Sequence, residues 1–448
     1  MAGDHRAILT TGPIPPTLAR LSAQMLIGIF AMMSFNLIDT YFVGRLGTPE
    51  LAAMTLTFPV VIFVSSIALG LGIGASAVIS KAIGEGDDEK VKRLTTDSLF
   101  LSLVLVLAFV VAGMFTIEPL FGLMQASPEI IALVKQYLLI WYPGMLFVVV
   151  PMVGNNAIRA TGDTRTPSII MIVAVCVNAA LDPILIFGWG PVPALELRGA
   201  AIATVIARAS TLSVSLFVLN VRKKMLSFRL PGMHEMLESW KSILSIAVPA
   251  AGANIILPLS AFIITGMIAP YGAEVVAGYG VATRVEGFAM TVIMALFAVL
   301  GPFIGQNIGA GFKQRAIDAL RHSRRFSIVW GVVMLGVLAF AGRPIAAIFD
   351  DSPQAVATAS LYLLLAPIGF ASQGIIRLST AALNVLNRAR ESAFITAFQA
   401  ILINIPLALV LKRFFGPAGI FAAYALSCII AGGVACRATK RAFAAVPG

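Results

Sequence analysis

Twelve apolar stretches, each long enough to cross a lipid bilayer, divide the 448-residue chain. Hydrophobic residues make up 59% of the sequence and charged residues only 12%, which is far too apolar for a water-soluble domain. Because the bilayer core offers no partners to backbone polar groups, such segments must be helical. The sequence therefore predicts an all-α polytopic membrane protein, with stretches near residues 18–43, 52–80, 97–117, 130–157, 168–188, 199–221, 242–270, 275–308, 326–342, 355–384, 393–411 and 418–436.

The two halves of the chain resemble each other. Residues 36–93 and 261–318 align without a gap at an offset of 225. Since each half contains six stretches, both enter the membrane from the same side, and the repeat is a parallel one. We expect two six-helix lobes related by a pseudo-two-fold axis: an N-lobe at 1–221, a cytoplasmic linker at 222–241 and a C-lobe at 242–448. The matching pairs include Gly47 with Gly272, Ala52 with Ala277, Ile83 with Ile308, Gly84 with Gly309, Tyr137 with Tyr362, Gly144 with Gly369, and Arg165 with Arg390.

Lysine and arginine are distributed unevenly between the predicted loops. Of the 32 in the chain, 23 fall on the side of the two termini and five on the opposite side. Positive charge marks the cytoplasmic face, so we predict a protein of the cell (inner) membrane with both termini in the cytoplasm. The net charge of +11 is accordingly an orientation signal, and no nucleic-acid partner is expected.

Two acids lie inside predicted spans of the N-lobe. Asp39 follows Asn36 by three residues in span 1, and Asp182 follows Asn178 by four residues in span 5. These spacings place each acid and its amide on one helix face. Pro183 follows directly and frees a backbone carbonyl one turn earlier. Each site thus offers a carboxylate and an amide oxygen.

A charged carboxylate in the middle of a membrane costs about 3 kcal/mol or more, so such acids are usually functional. We expect both to face a cavity and to spend part of their time protonated. Asp39 is roughly 7–8 Å from the outer end of span 1, which puts it in the outer half of the bilayer with Asp182. The structural alternative is that both acids only satisfy neighbouring polar groups or stabilise a kink.

The C-lobe differs at the matching positions, where Ile264 stands opposite Asp39 and Ala408 opposite Asp182. Its one acid within a span is Glu286, near Arg284, and our preferred interpretation is that these two neutralise each other. Arg208 and Arg377 are further candidates for internal ion pairs or for contact with an anionic group.

Several other functions find no support. The chain has no Walker sequence, which argues against an ATP-driven pump, and its three cysteines have no CxxC spacing. Neither an enzyme, nor a zinc site, nor a disulfide is expected. The only cofactor-like species predicted is the coupling ion, H⁺ or alternatively Na⁺.

Taken together, four segments resemble the MATE (multidrug and toxic compound extrusion) family, and the resemblance covers nearly the whole chain. They are the span 1 string at 36–47, the Gly-Glu-Gly loop at 84–86, the loop string at 159–167 and the span 5 string at 178–187. The family implies two six-helix lobes around a central cavity and export of organic, often cationic compounds against inward H⁺ or Na⁺ flow.

Carried over by position, the resemblance implies an ion-coupling site of Asp39, Asn178 and Asp182, with Tyr137, Thr204 and Asn36 nearby. Predicted spans 7 and 10 contain no acid, which favours the DinF-like branch and proton coupling over a C-lobe sodium site. Members of that branch often carry a proline early in span 1, where this chain has Gln24. A bend of span 1 would then have to come from elsewhere, such as Gly28. Candidates for the substrate cavity are Met32, Met33, Arg208, Arg284 and Glu286.

The resulting hypothesis is a proton-coupled exporter of organic, cationic or amphipathic compounds that acts as a monomer among membrane lipids. Protonation of Asp39 and Asp182 would release the substrate outward, either by competition or through a conformational change. The alternatives are a Na⁺-coupled exporter, or a flippase for lipids or lipid-linked precursors that would need an arginine-lined cavity.

Overall fold

The structure, a computed structural model, describes residues 7–123, 127–227 and 232–447, and only the backbone of Asn36, Thr48, Leu51 and Leu123. Its described part is helical throughout and contains no strand apart from one isolated bridge between Trp189 and Val192. The helices of the first half are α1 (Ile14–Gly44), α2 (Thr48–Glu85), α3 (Asp88–Leu123), α4 (Pro128–Gly144), α5 (Leu146–Ala160), α6 (Arg165–Phe187) and α7 (Glu196–Phe217).

The second half contains eight helices, because two of its spans are interrupted. They are α8 (Met233–Ile268), α9 (Ala273–Gly309), α10 (Lys313–Phe349), α11 (Pro353–Leu365), α12 (Phe370–Val385), α13 (Ala389–Ala397), α14 (Asn404–Phe415) and α15 (Pro417–Ala444). A 3₁₀ turn joins α11 to α12, and a π-helical turn joins α13 to α14.

The number of spans agrees with the prediction. In the described part, eleven helices are long and apolar enough to cross a membrane, and α4 with α5 forms a twelfth span bent by 40°. The protein is therefore a multi-pass membrane protein of twelve spans in two six-span halves.

The chain divides into two compact units whose boundaries differ from the predicted lobes. Unit 1 contains residues 23–247, and unit 2 contains residues 7–22 and 248–447. Consequently α1 begins in unit 2 and α8 begins in unit 1. Part of the predicted linker at 222–241 is helical, since α8 starts at Met233.

Specific hydrogen bonds fix the beginnings of these two helices. In unit 1, the Trp240 indole nitrogen donates to the Asp97 carbonyl oxygen at 3.1 Å. In unit 2, the Leu9 N–H donates to the Gln306 side chain at 3.0 Å, and the Asn307 amide donates back to the Leu9 carbonyl at 3.1 Å. Leu9 is consequently buried.

The same close helix contacts occur in both units. At each of these positions a glycine lets two helices approach so closely that a Cβ atom would overlap the neighbouring helix. The repeated contacts are Gly199 with the Leu185 carbonyl and Gly419 with the Leu411 carbonyl, together with Gly144 with Val205 and Gly369 with Ala425. The internal repeat is thus present in the packing as well as in the sequence.

These contacts also show where the two repeats differ in length. Leu185 and Leu411 are 226 residues apart, whereas Gly199 and Gly419 are 220 apart. The connection between α6 and α7 is therefore six residues longer than its counterpart between α14 and α15. Positions on α7 match positions on α15 at an offset of 220.

Helix α1 is continuous from Ile14 to Gly44, without the proline that the predicted branch often carries. Gln24, which stands at that position, accepts hydrogen bonds instead: its carbonyl from the Ser168 hydroxyl at 2.7 Å and its side chain from the Thr164 hydroxyl at 2.8 Å. A Cβ at Gly28 would overlap Ser168, so this glycine allows α1 to pack closely on α6.

Candidate functional site

A buried polar cluster lies in unit 1, where α1, α4, α6 and α7 contribute one face each. We call it the acid cluster; its members are Asp39, Tyr137, Asn178, Asp182, Thr204 and Arg208. Asn178 and Asp182 are fully buried, and Asp39 and Thr204 are each 7% exposed. Asp39 lies within electrostatic range of Asp182, Tyr137 and Arg208, and Asn178 is bonded to Asp182, so these five side chains share one environment; Thr204 is included because it stands one turn before Arg208 on α7.

The geometry of α6 follows from its sequence. Asn178 and Asp182 are one turn apart, and the Asn178 amide nitrogen donates to one carboxylate oxygen of Asp182 at 3.0 Å. Pro183 lies inside the helix, where it leaves one backbone carbonyl without its usual donor. Asp39 and Asp182 each stand five residues before the end of their helices, α1 and α6.

Several polar atoms of the cluster are buried without a hydrogen-bond partner among the described residues. They are four oxygens, Asp39 Oδ1, Asn178 Oδ1, Asp182 Oδ2 and Thr204 Oγ1, and one guanidinium nitrogen, Arg208 Nε. Buried acceptors without donors are costly, so a set of them is suited to take up a proton or a hard cation. This is the chemistry expected of an ion-coupling site.

Arg208 belongs to this cluster rather than to a substrate cavity, where the sequence analysis placed it. Its guanidinium lies over the Phe35 ring at 4.3 Å, and the carboxylate that acts on it is Asp39. The spacing of Thr204 and Arg208, four residues apart on α7, was a signal that could have placed them together.

The remaining N-lobe candidates are less informative. The side chain of Asn36 lies outside what the structure describes. Met32 is exposed and Met33 half-buried on α1, and neither lines the cavity of unit 2 described next.

Unit 2 contains a cavity of about 320 Å³ between α8, α9, α11, α12, α14 and α15. We call it the tyrosine cavity, because Tyr279, Tyr362 and Tyr424 line it, three of the seven tyrosines in the chain. Glu286 lies at its wall and accepts hydrogen bonds from the hydroxyls of Tyr362 and Tyr424.

The expected pairing of Arg284 with Glu286 is wrong. Among the described residues these two form no salt bridge, and Arg284 is exposed. Two residues apart on α9, their side chains point to different faces of the helix. The cation that acts on Glu286 is Arg377, on α12. Glu286 lines the tyrosine cavity, whereas Arg284 does not. That Glu286 contributes to a substrate cavity stays a prediction.

The tyrosine cavity occupies the position in unit 2 that the acid cluster occupies in unit 1. At the repeat offsets, Tyr137 corresponds to Tyr362, Asn178 to Asn404, Thr204 to Tyr424, Asp39 to Ile264 and Asp182 to Ala408. Ile264, Tyr362, Asn404 and Tyr424 all line the cavity. Unit 2 thus has aliphatic residues in place of both acids of unit 1. Its own acid, Glu286 on α9, corresponds to Val61 on α2 of unit 1.

Comparison with known proteins agrees with this architecture. The MatE family model matches residues 25–184 and 249–410, one segment in each half. The FAD transporter of Shewanella oneidensis is 38% identical over 428 residues, which cover 96% of this chain and 94% of that protein. The multidrug export protein MepA of Staphylococcus haemolyticus is 27% identical over 400 residues, covering 89% and 87%.

Among solved structures, the bent form of the Vibrio cholerae MATE transporter VcmN superposes with a TM-score of 0.90. Its sequence identity is 28%, and the match covers 96% of each chain. The family match extends over most of the chain, and the resemblance inferred from the sequence is confirmed. The chain belongs to the MatE family of membrane transporters.

Proposed function

We propose that the protein is a proton-coupled exporter of the inner membrane, with both termini in the cytoplasm and the acid cluster as its coupling site. The observation that carries the proposal is the burial of two carboxylates, Asp39 and Asp182, each with one oxygen that has no hydrogen-bond partner among the described residues. Buried intramembrane acids of this kind mark ion pathways.

Proton uptake would change the contacts within the cluster. A protonated carboxyl becomes a donor and can bond to an acceptor that now has none, such as Thr204 Oγ1 or Asn178 Oδ1. Neutral Asp39 would also no longer attract Arg208. Both changes act on the packing of α1, α6 and α7, which supports coupling through conformation.

For the substrate we propose flavin adenine dinucleotide (FAD). The support is the extent of the match with the Shewanella oneidensis FAD transporter, which spans nearly both chains. The pyrophosphate of FAD is negatively charged, so it would be repelled by a charged carboxylate rather than held by it. An anionic substrate therefore favours the conformational route over direct competition with the proton.

The second candidate is export of organic cations and other drugs, as the name of the MepA relative suggests. The observation that favours it is the position of Glu286 among the rings of the tyrosine cavity, since carboxylates and aromatic faces both attract cations. A lipid flippase has less support, because it needs a cavity lined by several arginines. Of the two buried candidates, Arg208 packs on Phe35 beside Asp39, and only Arg377 lines the tyrosine cavity.

Proteoliposomes with a trapped pH-sensitive dye test the proposal. FAD or the lipophilic cation ethidium is added with and without Na⁺, and the wild type is compared with Asp39→Asn and Asp182→Asn. Asp351→Asn is the matched control, because Asp351 is an exposed acid next to the start of α11.

We expect FAD to drive proton movement without Na⁺ in the wild type and in Asp351→Asn, and expect no movement in the two cluster variants. Proton movement that survives both cluster substitutions would contradict the coupling site. A signal that requires Na⁺ would indicate sodium at the same oxygens, and a response to ethidium alone would favour the second candidate.

A further inference from the structure

We propose that the tyrosine cavity of unit 2 binds the isoalloxazine ring of a flavin. The proposal rests on the proposed function for the presence of FAD, and it assigns one part of that molecule to one part of the protein. Three features of the cavity support this assignment: its size, its aromatic wall and the hydrogen-bonding groups in its walls that have no partner among the described residues.

The size of the cavity suits a single ring system. Its volume of about 320 Å³ lies at the lower end of the range of about 300–1,000 Å³ that ligand pockets span. A whole dinucleotide is too large for this space. The ring would be enclosed, while the ribityl chain, the pyrophosphate and the adenosine remain outside the cavity.

One wall is built of aromatic rings in fixed orientations. Tyr279 and Tyr424 are partly exposed and line the cavity, and Phe421 and Tyr362 are buried beside them. The Tyr279 and Phe421 rings are stacked with centroids 6.0 Å apart and planes 5° apart. Tyr362 meets Phe421 edge-on at 5.0 Å.

Glu286 holds this wall in place from behind. By accepting the hydroxyls of both Tyr362 and Tyr424, it fixes the planes of two rings that come from different helices. A preformed aromatic wall binds a flat ring by stacking, without first having to order its own side chains. Because its carboxylate is already engaged, Glu286 is less available to a bound cation.

A second wall presents amide groups with unused hydrogen-bonding capacity. The Gln373 oxygen accepts from the Cys428 thiol at 3.4 Å, and the Gln373 amide nitrogen has no partner among the described residues. The Gln399 amide nitrogen donates to the Ser427 hydroxyl at 3.1 Å and to the Cys428 sulfur at 3.5 Å, and the Gln399 oxygen likewise has no partner there. Within the described part of the chain Asn404 Oδ1 has no partner, although Asn404 is only 5% exposed.

These free groups match the polar edge of a flavin. The pyrimidinedione edge of isoalloxazine is a cyclic imide that presents a carbonyl, an N–H and a second carbonyl in a row. Its carbonyls need donors, which the Gln373 nitrogen and the Arg377 guanidinium can supply, and its N–H needs an acceptor, which the Gln399 oxygen can supply. Buried polar groups without partners gain most from a ligand that forms hydrogen bonds with them.

The opposite edge of the flavin also has a counterpart. Isoalloxazine ends in an apolar dimethylbenzene ring, and the cavity is lined by Ile264, Met290 and Met294 in addition to its polar groups. Adenine has polar atoms around most of its edge. In this cavity some of them would lie against the apolar side chains, without a hydrogen-bond partner. The replacement of the two acids of unit 1 by aliphatic residues, Ile264 among them, suits a neutral ring.

Binding of flavin mononucleotide (FMN) to the purified full-length protein in lipid nanodiscs tests the inference. Flavin fluorescence is quenched when the ring stacks on tyrosine, so titration gives the affinity directly. Riboflavin and AMP serve as competitors that carry only the ring or only the adenosine half. We expect quenching on FMN binding, competition by riboflavin and none by AMP.

Three variants locate the ring. Tyr279→Leu removes a stacking surface and Gln373→Glu replaces the free amide donor by an acceptor of the same size; each should weaken FMN binding at least tenfold. Tyr271→Leu is the control, because Tyr271 is exposed and does not line the cavity; it should bind FMN as the wild type does. A thermal melt of each variant shows that it is folded.

The outcomes separate this inference from the proposed function. Export of FAD by wild-type proteoliposomes together with unchanged FMN affinity in both Tyr279→Leu and Gln373→Glu would overturn the cavity assignment and leave the exporter intact. Competition by AMP alone would do the same. Neither export of FAD nor binding of FMN would overturn both.

Discussion

The carboxylates of the two units are satisfied to different degrees at the scale of single residues. Asp182 receives one donor, from Asn178, and one of its oxygens is left without a partner among the described residues. Glu286 receives two, from Tyr362 and Tyr424. A carboxylate oxygen without a donor takes up a proton more readily than one that already accepts hydrogen bonds. This difference supports the proposed coupling role of unit 1 and a structural role for Glu286.

Removing a tyrosine hydroxyl beside Glu286 should destabilise the protein. We expect Tyr362→Phe or Tyr424→Phe to lower the free energy of unfolding by about 1–3 kcal/mol, because a buried carboxylate oxygen loses its donor. The measurement is the Tm in detergent. In the background of Glu286→Gln each tyrosine substitution should have a smaller effect; strictly additive losses would show that the hydroxyls do not depend on the carboxylate.

Asp163 provides a pH-dependent contribution outside the membrane spans. It lies between α5 and α6, bonded by Lys223 at 2.9 Å and by the Thr166 backbone and hydroxyl. Burial by itself would raise the pKa of Asp163, but the hydrogen bonds from Lys223 and Thr166 outweigh it, and the pKa lies below its ordinary value of 3.8. The stabilisation is therefore complete above about pH 4 and lost as the pH falls through the lowered pKa.

We accordingly expect Asp163→Asn to reduce the free energy of unfolding by about 1 kcal/mol at neutral pH. The Tm difference from the wild type should shrink as the pH falls below about 4. Asp351→Asn, the exposed control, should follow the wild type at every pH. A difference that persists unchanged into strong acid would show that the side chain acts through its shape rather than its charge.

The sequence indicates which polar residues lie buried in the spans, but not which side chains from other helices contact them. Asp39, Asn178 and Asp182 stand out because polar residues inside apolar stretches are rare and costly. Glu286 was correctly singled out but paired with the wrong partner, because Arg284 is close in sequence while Tyr362 and Tyr424 come from other helices. Contacts of that kind depend on how the spans pack, which apolar sequence leaves open.

At the scale of elements, the pair α6–α7 and its counterpart α14–α15 are held by glycine contacts at equivalent places. Gly199 lies against the carbonyl of Leu185, three residues after Asp182 on α6. Thr204 and Arg208 stand one and two turns further along α7. The separation of the two helices at Gly199 therefore sets how close these polar side chains come to Asp182.

A single methyl group at this contact should impair both packing and transport. We expect Gly199→Ala to lower the free energy of unfolding by about 1–3 kcal/mol, because its Cβ would overlap backbone that cannot move aside cheaply. FAD-driven proton movement should fall in parallel. Gly419→Ala should lower the Tm similarly while leaving the acid cluster intact.

Gly433→Ala is the control, since a Cβ there meets open space within helix α15. It should stabilise the helix by about 0.5–1 kcal/mol, as alanine does relative to glycine. If Gly199→Ala raised the Tm as Gly433→Ala does, the close contact between α6 and α7 would be refuted.

The sequence predicted which elements exist better than where they end. Apolar length marks the part of a helix that lies in lipid. Helix α2 continues about one turn beyond its predicted stretch at each end, and α3 and α10 begin about two to four turns before theirs, in polar sequence. The start of α8 lies in the predicted linker because Trp240 bonds to α3. The π-helical turn at Phe398–Ile403 has no signature in apolar periodicity.

At the scale of the whole molecule, the distribution of positive charge predicts the orientation. A cysteine introduced at Glu89, at the start of α3, should be shielded from a membrane-impermeant maleimide in intact cells, whereas one at Glu129, at the start of α4, should react. Both positions are exposed, and Cys176, Cys428 and Cys436 are first replaced by alanine. The expectation follows from the excess of lysine and arginine on the side of the termini.

Opening the cells makes the test complete. After permeabilisation both introduced cysteines should react, which shows that the first one was protected by the membrane and not by the fold. Labelling of the Glu89 position alone in intact cells would reverse the orientation and place the acid cluster near the opposite face.

The matching glycine contacts of the two units are what duplication and fusion of a half-length gene would leave, and before such a fusion its product would have had to act as a pair of identical subunits. In such a pair every substitution occurs in both subunits. A proton-binding acid in one subunit would therefore also have been present at the equivalent position of the other. Fusion into one gene lifted that restriction: the backbone contacts were inherited unchanged, while Asp39 and Asp182 now correspond to Ile264 and Ala408 in the sister half. Only within a single chain can the two halves take different roles, such as the proposed proton coupling in unit 1 and flavin binding in unit 2.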